Sequence, residues 1–445
     1  MLRSDEPRGD VEDRSYGFPA GLWRALERNP PPGLGRSPGW RSPLRGPWLT
    51  SVFGAVLLVA LPVVIITGLL DYIAYGPRFG QAIPADVGWL RLPQFDWPTR
   101  PSWLFQLTEG LHVVLGLVSI PVVLAKLWSV VPKLFAWPAA RSMAQVLERV
   151  SLLLLVGGIL FEIATGVLNI QYDYLFGFSF YAAHYYGAWV FIAGFAVHVA
   201  LKLPHMITGL RSRSIRAELR TPLPQTRPEP PDTYGLVATD PAPATMSRRG
   251  ALALVGGGAV LVAVLSVGQV IGGAARGAAL LLPRGRSYGD GPNDFQVNRT
   301  AVAAGITPAA TGAGWALTLG GPRPASLTRA MLLAMPQHTA TLPIACVEGW
   351  ATTQTWTGVR LADLAAVAGV PAPGSAMVAS LEEAGAFNEA TLAANQVLDP
   401  DSLLALAVNG AELSADHGYP ARIIVPAMPG VHNTKWVRSI DFRSA

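Results

Sequence analysis

The chain has 445 residues, 51% of them hydrophobic and only 14% charged, with a mean hydropathy of +0.34, which is too apolar for an ordinary soluble protein. Its single cysteine excludes an internal disulfide framework and any cysteine-ligated iron–sulfur cluster. The net charge of +5 is modest, so no nucleic-acid partner is expected, and the distribution of charge says more than its sum.

Residues 1–46 are rich in Pro, Gly and Arg and bury too little apolar surface to offset the entropy of ordering, so a disordered arm is expected. The arm also lacks the short apolar core of a cleavable signal peptide. Four apolar runs follow, Leu49 to Leu70, Leu111 to Val131, Val150 to Ile170 and Tyr185 to Leu203, and a fifth, Ala251 to Ile271, stands apart. Each is about the length of a bilayer-spanning helix. The expected organisation is a four-span bundle over 47–210, a flexible Pro-rich linker over 211–247 and a fifth helix over 248–273. Arginines and lysines gather before the first run, from the end of the second to the start of the third (Lys126, Lys133, Arg141, Arg149), and from the end of the fourth to the start of the fifth (from Lys202 to Arg249). The positive-inside rule then places the N-terminus in the cytoplasm and everything after the fifth span outside it, in a multi-pass protein of the cell membrane.

Histidines are the chemical signal of the bundle. His112 and His184 open the second and fourth runs, and His198 lies fourteen residues beyond His184 on the same run. That spacing is roughly 21 Å of rise and nearly the same helix face. Ionisable groups inside spans point to function, and histidines on facing helices suit a b-type haem. The bundle resembles the haem-b cytochrome subunits of membrane formate dehydrogenases and hydrogenases, in which one helix carries two axial histidines at about this spacing. The resemblance implies haem b and exchange with quinone or quinol in the lipid. An outer haem has both ligands in His112 and His184. An inner one has His198 alone, because Lys126 occupies the matching position of the second run. One haem is therefore expected, with a second left open. Glu162 and Asn169 in the third run suit either a quinone or proton path or a plain interhelical hydrogen bond.

Ser247-Arg248-Arg249-Gly250-Ala251-Leu252 resembles a twin-arginine export signal, although it is internal. Beyond it, from about residue 290, strand-like runs (Trp315 to Leu319, Ala421 to Val425) alternate with helical ones (Leu361 to Ala368, Asp401 to Leu406), an α+β pattern.

Within this region Thr341 to Leu364 holds Cys346 at the end of an apolar run, followed by Glu348, Trp350 and Trp356. A strand delivering one thiol to the edge of a polar pocket reads this way. A lone cysteine also reads as a small buried hydrophobe. The run Cys346-Val347-Glu348-Gly349-Trp350, the block Gly418 to Val437 and the segment Asp294 to Arg299 resemble the sulfite-oxidase superfamily of molybdenum enzymes. The branch most similar holds the periplasmic methionine-sulfoxide reductase subunit. The resemblance implies an α+β molybdopterin domain over 290–445, with 294–299 as its opening strand. It makes Cys346 the molybdenum ligand, with Glu348 and Trp350 beside it. Asn298, Arg299, His432, Asn433 and Lys435 are the expected pterin contacts. An S-oxide or N-oxide outside the cytoplasm is the implied substrate. The runner-up readings are oxidation of a small substrate with electrons passing inward, and a non-catalytic haem-binding carrier. No arginine-rich stretch of the sulfite-oxidase kind follows Cys346, and no immunoglobulin-like domain follows the block ending at Val437, so a dimer built through one is not expected.

Overall fold

The computed structural model describes residues 38–79, 84–85, 93–134, 143–170, 179–232, 235–282, 285, 288–385 and 387–444. Five of its helices are long and apolar enough to cross a bilayer: α1 (Pro47–Ala74), α2 (Leu104–Leu134), α3 (Met143–Asn169), α4 (Phe180–Arg211) and α5 (Arg248–Ile271). They start earlier and mostly end later than the apolar runs. Hydropathy stops at the first charge, whereas a helix continues until its backbone groups find other partners. Leu153 and Val59 are each 71% exposed, as the outward apolar face of a helix able to cross a bilayer would be.

Two compact units divide the chain: 1–54 with 124–158 and 193–252, and 55–123 with 159–192 and 253–445. The first unit corrects two expectations. Residues 1–37 of the expected arm lie outside the described residues, but 38–46 are folded. Arg45 is buried and donates to the carbonyls of Trp40 (2.6 Å) and Ser129 (3.4 Å). The described part of the linker is mostly exposed but is anchored at a few buried residues. Glu229 is buried and accepts the Trp48 amide at 3.1 Å, an acid at the first turn of α1, where unpaired N–H groups favour negative charge. Buried Glu218 pairs with Arg213 (2.6 Å) and Arg248 (3.4 Å). Composition suggested flexibility, but two carboxylates within the Pro-rich text find buried partners.

The second unit carries two five-stranded sheets. One has the order β2 (Ala325–Thr328), β1 (Ala316–Gly320), β10 (Val437–Ser444), β5 (Pro373–Ser380), β6 (Glu389–Ala393), with β1 and β10 parallel. The other has β3 (His338–Cys346), β4 (Trp350–Arg360), β7 (Leu403–Val408) and β8 (Ala411–Glu412), with β9 (Arg422–Ile424) also on β7. This is the expected mixed domain, with one element reversed. Residues 401–406 were expected to be helical, yet Leu403–Val408 is a strand between β4 and β9. The run LLALAV is buried almost throughout. A continuous apolar run does not distinguish a central strand from a buried helix, and sheet pairing overrides the helix preference of Leu and Ala. The expected strand over 294–299 is also absent. That segment is held by side chains, with the Phe295 ring stacked 3.7 Å from His417.

The C-terminal end of α1 and the N-terminal ends of α2 and α4 share one apolar core with the sheets: Tyr75, Phe105 and Tyr185 pack in the same cluster as Leu404, Met428 and Val437. Trp97, between α1 and α2, donates to the Ala427 carbonyl at 2.7 Å, and Arg100 pairs with Asp399 at 3.0 Å.

Candidate active site

β3 pairs with β4 along its whole length, ending at Cys346 opposite Trp350. A three-residue turn joins them, closed by the Gly349 amide donating to the Cys346 carbonyl at 2.9 Å. Gly349 has φ +77°, and a Cβ there would lie 2.9 Å from Val113 of α2. Only glycine fits both the left-handed backbone and the close approach. The Trp350 indole donates to Glu348 at 2.7 Å, fixing both side chains beside the turn.

Cys346 is buried and faces a narrow cleft lined also by Asn298, Thr352, His417, Arg422 and Lys435. Lys435 donates to the carbonyls of Arg299 and Asp416, the latter at 3.0 Å. Burial, then the neighbouring Arg422 charge, pulls the Lys435 ammonium down to about 7. Burial pulls Arg422 down to about 9, with Cys346 the opposing influence. His417 is pushed down to about 3, by burial and then by Arg422. It therefore stays neutral, and its Nε2 donates to the Asn293 carbonyl at 2.8 Å.

The sequence-derived residues divide. Cys346, Trp350, Asn298 and Lys435 come together at the cleft, and Glu348 reaches it through Trp350. Arg299 contributes its carbonyl, while its guanidinium is paired with Glu382. His432 and Asn433 do not line it. Asn433 accepts the Val425 amide at 2.8 Å and closes its own loop. His432, pushed down to about 4 by burial, lies edge-on to Tyr75 at 6.1 Å in a separate crevice. Both stand next to Lys435 in sequence, but the short 3-10 turn Gly430–His432 turns them away from it. Sequence reasoning missed Arg422 and His417. Arg422 sits inside the Gly418 to Val437 block and was legible there as the one arginine on a buried strand.

Residues 304–445 match the family described as "Oxidoreductase molybdopterin binding domain". An uncharacterized oxidoreductase, YuiH, of Bacillus subtilis is 36% identical over 24% of this chain and 54% of its own length. The mitochondrial sulfite oxidase of Drosophila melanogaster is 32% identical over 27% of this chain and 26% of its own. The NAD(P)H nitrate reductase of Hordeum vulgare is 36% identical over 21% of this chain and 11% of its own. The C-terminal region therefore matches a molybdopterin-binding oxidoreductase domain and is similar to parts of sulfite oxidases. The chain spans about half or less of the length of these relatives.

The cleft suits the molybdopterin domain's cofactor. Two cations are buried side by side, and Arg422 Nε has no hydrogen-bond partner among the described residues. Such a pair is costly without an anion between them, and the pterin phosphate is one. Cys346 adds a soft ligand a few residues away in space. One consequence is measurable without cofactor. Lys435 holds fewer protons folded than unfolded between about pH 7 and its ordinary value, so the stability of cofactor-free protein should rise with pH across that window. Lys435→Ala should remove that rise and weaken cofactor retention by about tenfold or more, measured by thermal unfolding against pH and by molybdenum content.

A second cavity, of about 230 Å³, lies among the helices of the same unit and is lined by His112, His184, Glu162, Asp71, Glu109 and, from the sheet domain, Val347. The His112 and His184 rings are 6.0 Å apart and perpendicular. His112 Nδ1 donates to the Val64 carbonyl at 2.9 Å, and His184 Nδ1 meets the Thr165 hydroxyl at 2.9 Å and Glu162 at 3.2 Å. Both Nδ1 atoms are thus engaged, which leaves Nε2 of each for a metal. Two imidazole–metal bonds of about 2 Å put ring centres roughly 6 Å apart. A Cβ on Gly68 would lie 2.6 Å from His112, and one on Gly166 3.3 Å from His184, so each ring has a glycine at its back. His198 belongs to the other unit, with Lys126 and Lys202 among its charged neighbours.

Proposed function

We propose that this chain is a membrane-anchored molybdopterin oxidoreductase that takes electrons from quinol through haem b between His112 and His184. Cys346 would hold the molybdenum site at which an S-oxide or N-oxide would be reduced outside the cytoplasm. One observation carries the reading: Val347 lines the histidine cavity and its neighbour Cys346 lines the cationic cleft. Electrons need cross only one residue of chain. Bound molybdopterin would supply the oxo-transfer chemistry. The chain's own part is to hold it through Cys346, to offset its phosphate with Arg422 and Lys435, and to keep water out with Trp350 and Phe295. The methionine-sulfoxide reductase resemblance favours the reductive direction. Similarity to sulfite oxidases supports the reverse one, oxidation of a small substrate with electrons moving inward. Metal analysis with optical redox spectra tests the whole: molybdenum and a reducible b-type haem in one purified chain are expected, and iron without molybdenum would leave only a carrier.

The arginine and lysine distribution supports a cytoplasmic N-terminus and an extracytoplasmic sheet domain. A reporter after Ala445 should read outside and one before Met1 inside; a cytoplasmic C-terminal reporter would sink the five-span arrangement. Arg248 is buried against Glu218 in the folded protein, so any reading of Arg248-Arg249 as an export signal precedes folding of that region. Replacing both with lysine should block export of the sheet domain while preserving charge. Unchanged export would remove the twin-arginine argument.

A further inference from the structure

The histidine cavity has a polar end that the proposed electron path does not use. Asp71 of α1 and Glu109 of α2 are 5% and 4% exposed and line the cavity together with His112 and His184, close enough to influence each other's charge, and neither Asp71 carboxylate oxygen has a hydrogen-bond partner among the described residues. Thr108 is the other polar group facing Asp71. No lysine or arginine is among the described residues lining the cavity, so the carboxyl pair has no local counter-ion and its proton content is what can change. A second observation is independent of the acids. The Tyr75 hydroxyl, on a residue 4% exposed that lines the same cavity, has no hydrogen-bond partner among the described residues. A buried hydroxyl left this way marks a place for a proton donor, acceptor or water. The titratable groups around Tyr75 are Glu109, Asp71, Tyr181 and Cys346, with the His432 ring 6.1 Å away. Tyr75 therefore stands between the acids and the cysteine turn.

We propose that Asp71, Glu109 and Tyr75 form a redox-linked proton site. When one electron enters the cavity between His112 and His184, the carboxyl pair takes up one proton, and Tyr75 passes it toward the Cys346 cleft. The inference rests on the haem reading above. Its physical basis is charge balance: an electron added to an apolar cavity is strongly opposed unless a positive charge arrives close by. The stoichiometry closes. Quinol supplies two electrons and two protons, and reduction of an S-oxide to a thioether and water consumes two of each. One proton per electron through the carboxyl pair meets that need.

The test is a spectroelectrochemical titration of the haem band in the purified full-length protein, from mildly acidic to mildly alkaline pH. The wild-type midpoint potential should fall as pH rises, approaching about 59 mV for each tenfold drop in proton activity when one proton accompanies one electron. Asp71→Asn with Glu109→Gln should flatten that dependence. Each single, isosteric substitution should weaken or displace it, which keeps the test available if the double variant does not fold. Tyr75→Phe should keep the dependence yet slow reoxidation of the haem by methionine sulfoxide by about tenfold or more. A b-type band whose pH dependence is absent in the wild type, or unchanged in the carboxamide variants, overturns the proton site alone. Unslowed reoxidation in Tyr75→Phe overturns the relay. Absence of any b-type band overturns the haem reading and this inference together.

Discussion

In Cys346→Ser, turnover with any S-oxide or N-oxide the parent accepts should fall by on the order of 100-fold or more, beyond what loss of a supporting residue costs a metal site. Serine keeps the size of the side chain but offers a harder, far less acidic ligand. The substitution sits at the end of β3, where the ladder to β4 is already complete, so the fold should survive. The proposed haem ligands lie on α2 and α4, so on that proposal haem should be present and still reducible by quinol. Wild-type turnover in this variant would return the cysteine to a buried hydrophobe and the domain to a docking module.

His112→Ala and His184→Ala should each abolish the b-type spectrum, since either loss removes one of two axial ligands. Molybdenum content should be unaffected, because the cleft takes none of its lining from these residues. Quinol-driven turnover should disappear, while an artificial reductant acting directly on the cleft should still support it. That split distinguishes a lost electron path from a collapsed protein. If only His198→Ala removes the spectrum, the pairing of His112 with His184 is wrong, and His112 with His198 becomes the next candidate.

Much of this was legible in the sequence, for reasons that differ by region. The five apolar helices were plain because a helix fit for a bilayer needs length and apolarity at once. Cys346 was legible as the end of an apolar run, and β3 ends there. What failed had competing physics. Leu403–Val408 reads as helix locally and is a strand because two neighbours pair with it. His432 and Asn433 were expected from the resemblance of their loop, yet a tight turn keeps them out of the cleft lining. Residues 38–46 and 211–247 looked unstructured by composition, but Glu218 and Glu229 find buried partners that no window of sequence reveals. Asp71 and Glu109 escaped notice because each lies just beyond the trimmed edge of an apolar run. There a charge ends the hydropathy signal, although the helix carries on.

The most direct test of the account follows one electron path in one chain. The purified protein is reduced with quinol, mixed rapidly with methionine sulfoxide, and the haem band is followed in the wild type and in Cys346→Ser. The account predicts prompt reoxidation in the wild type and a band that stays reduced in the variant. Reoxidation at the same rate in both would show that electrons leave the bundle without passing through the Cys346 cleft, and would contradict it.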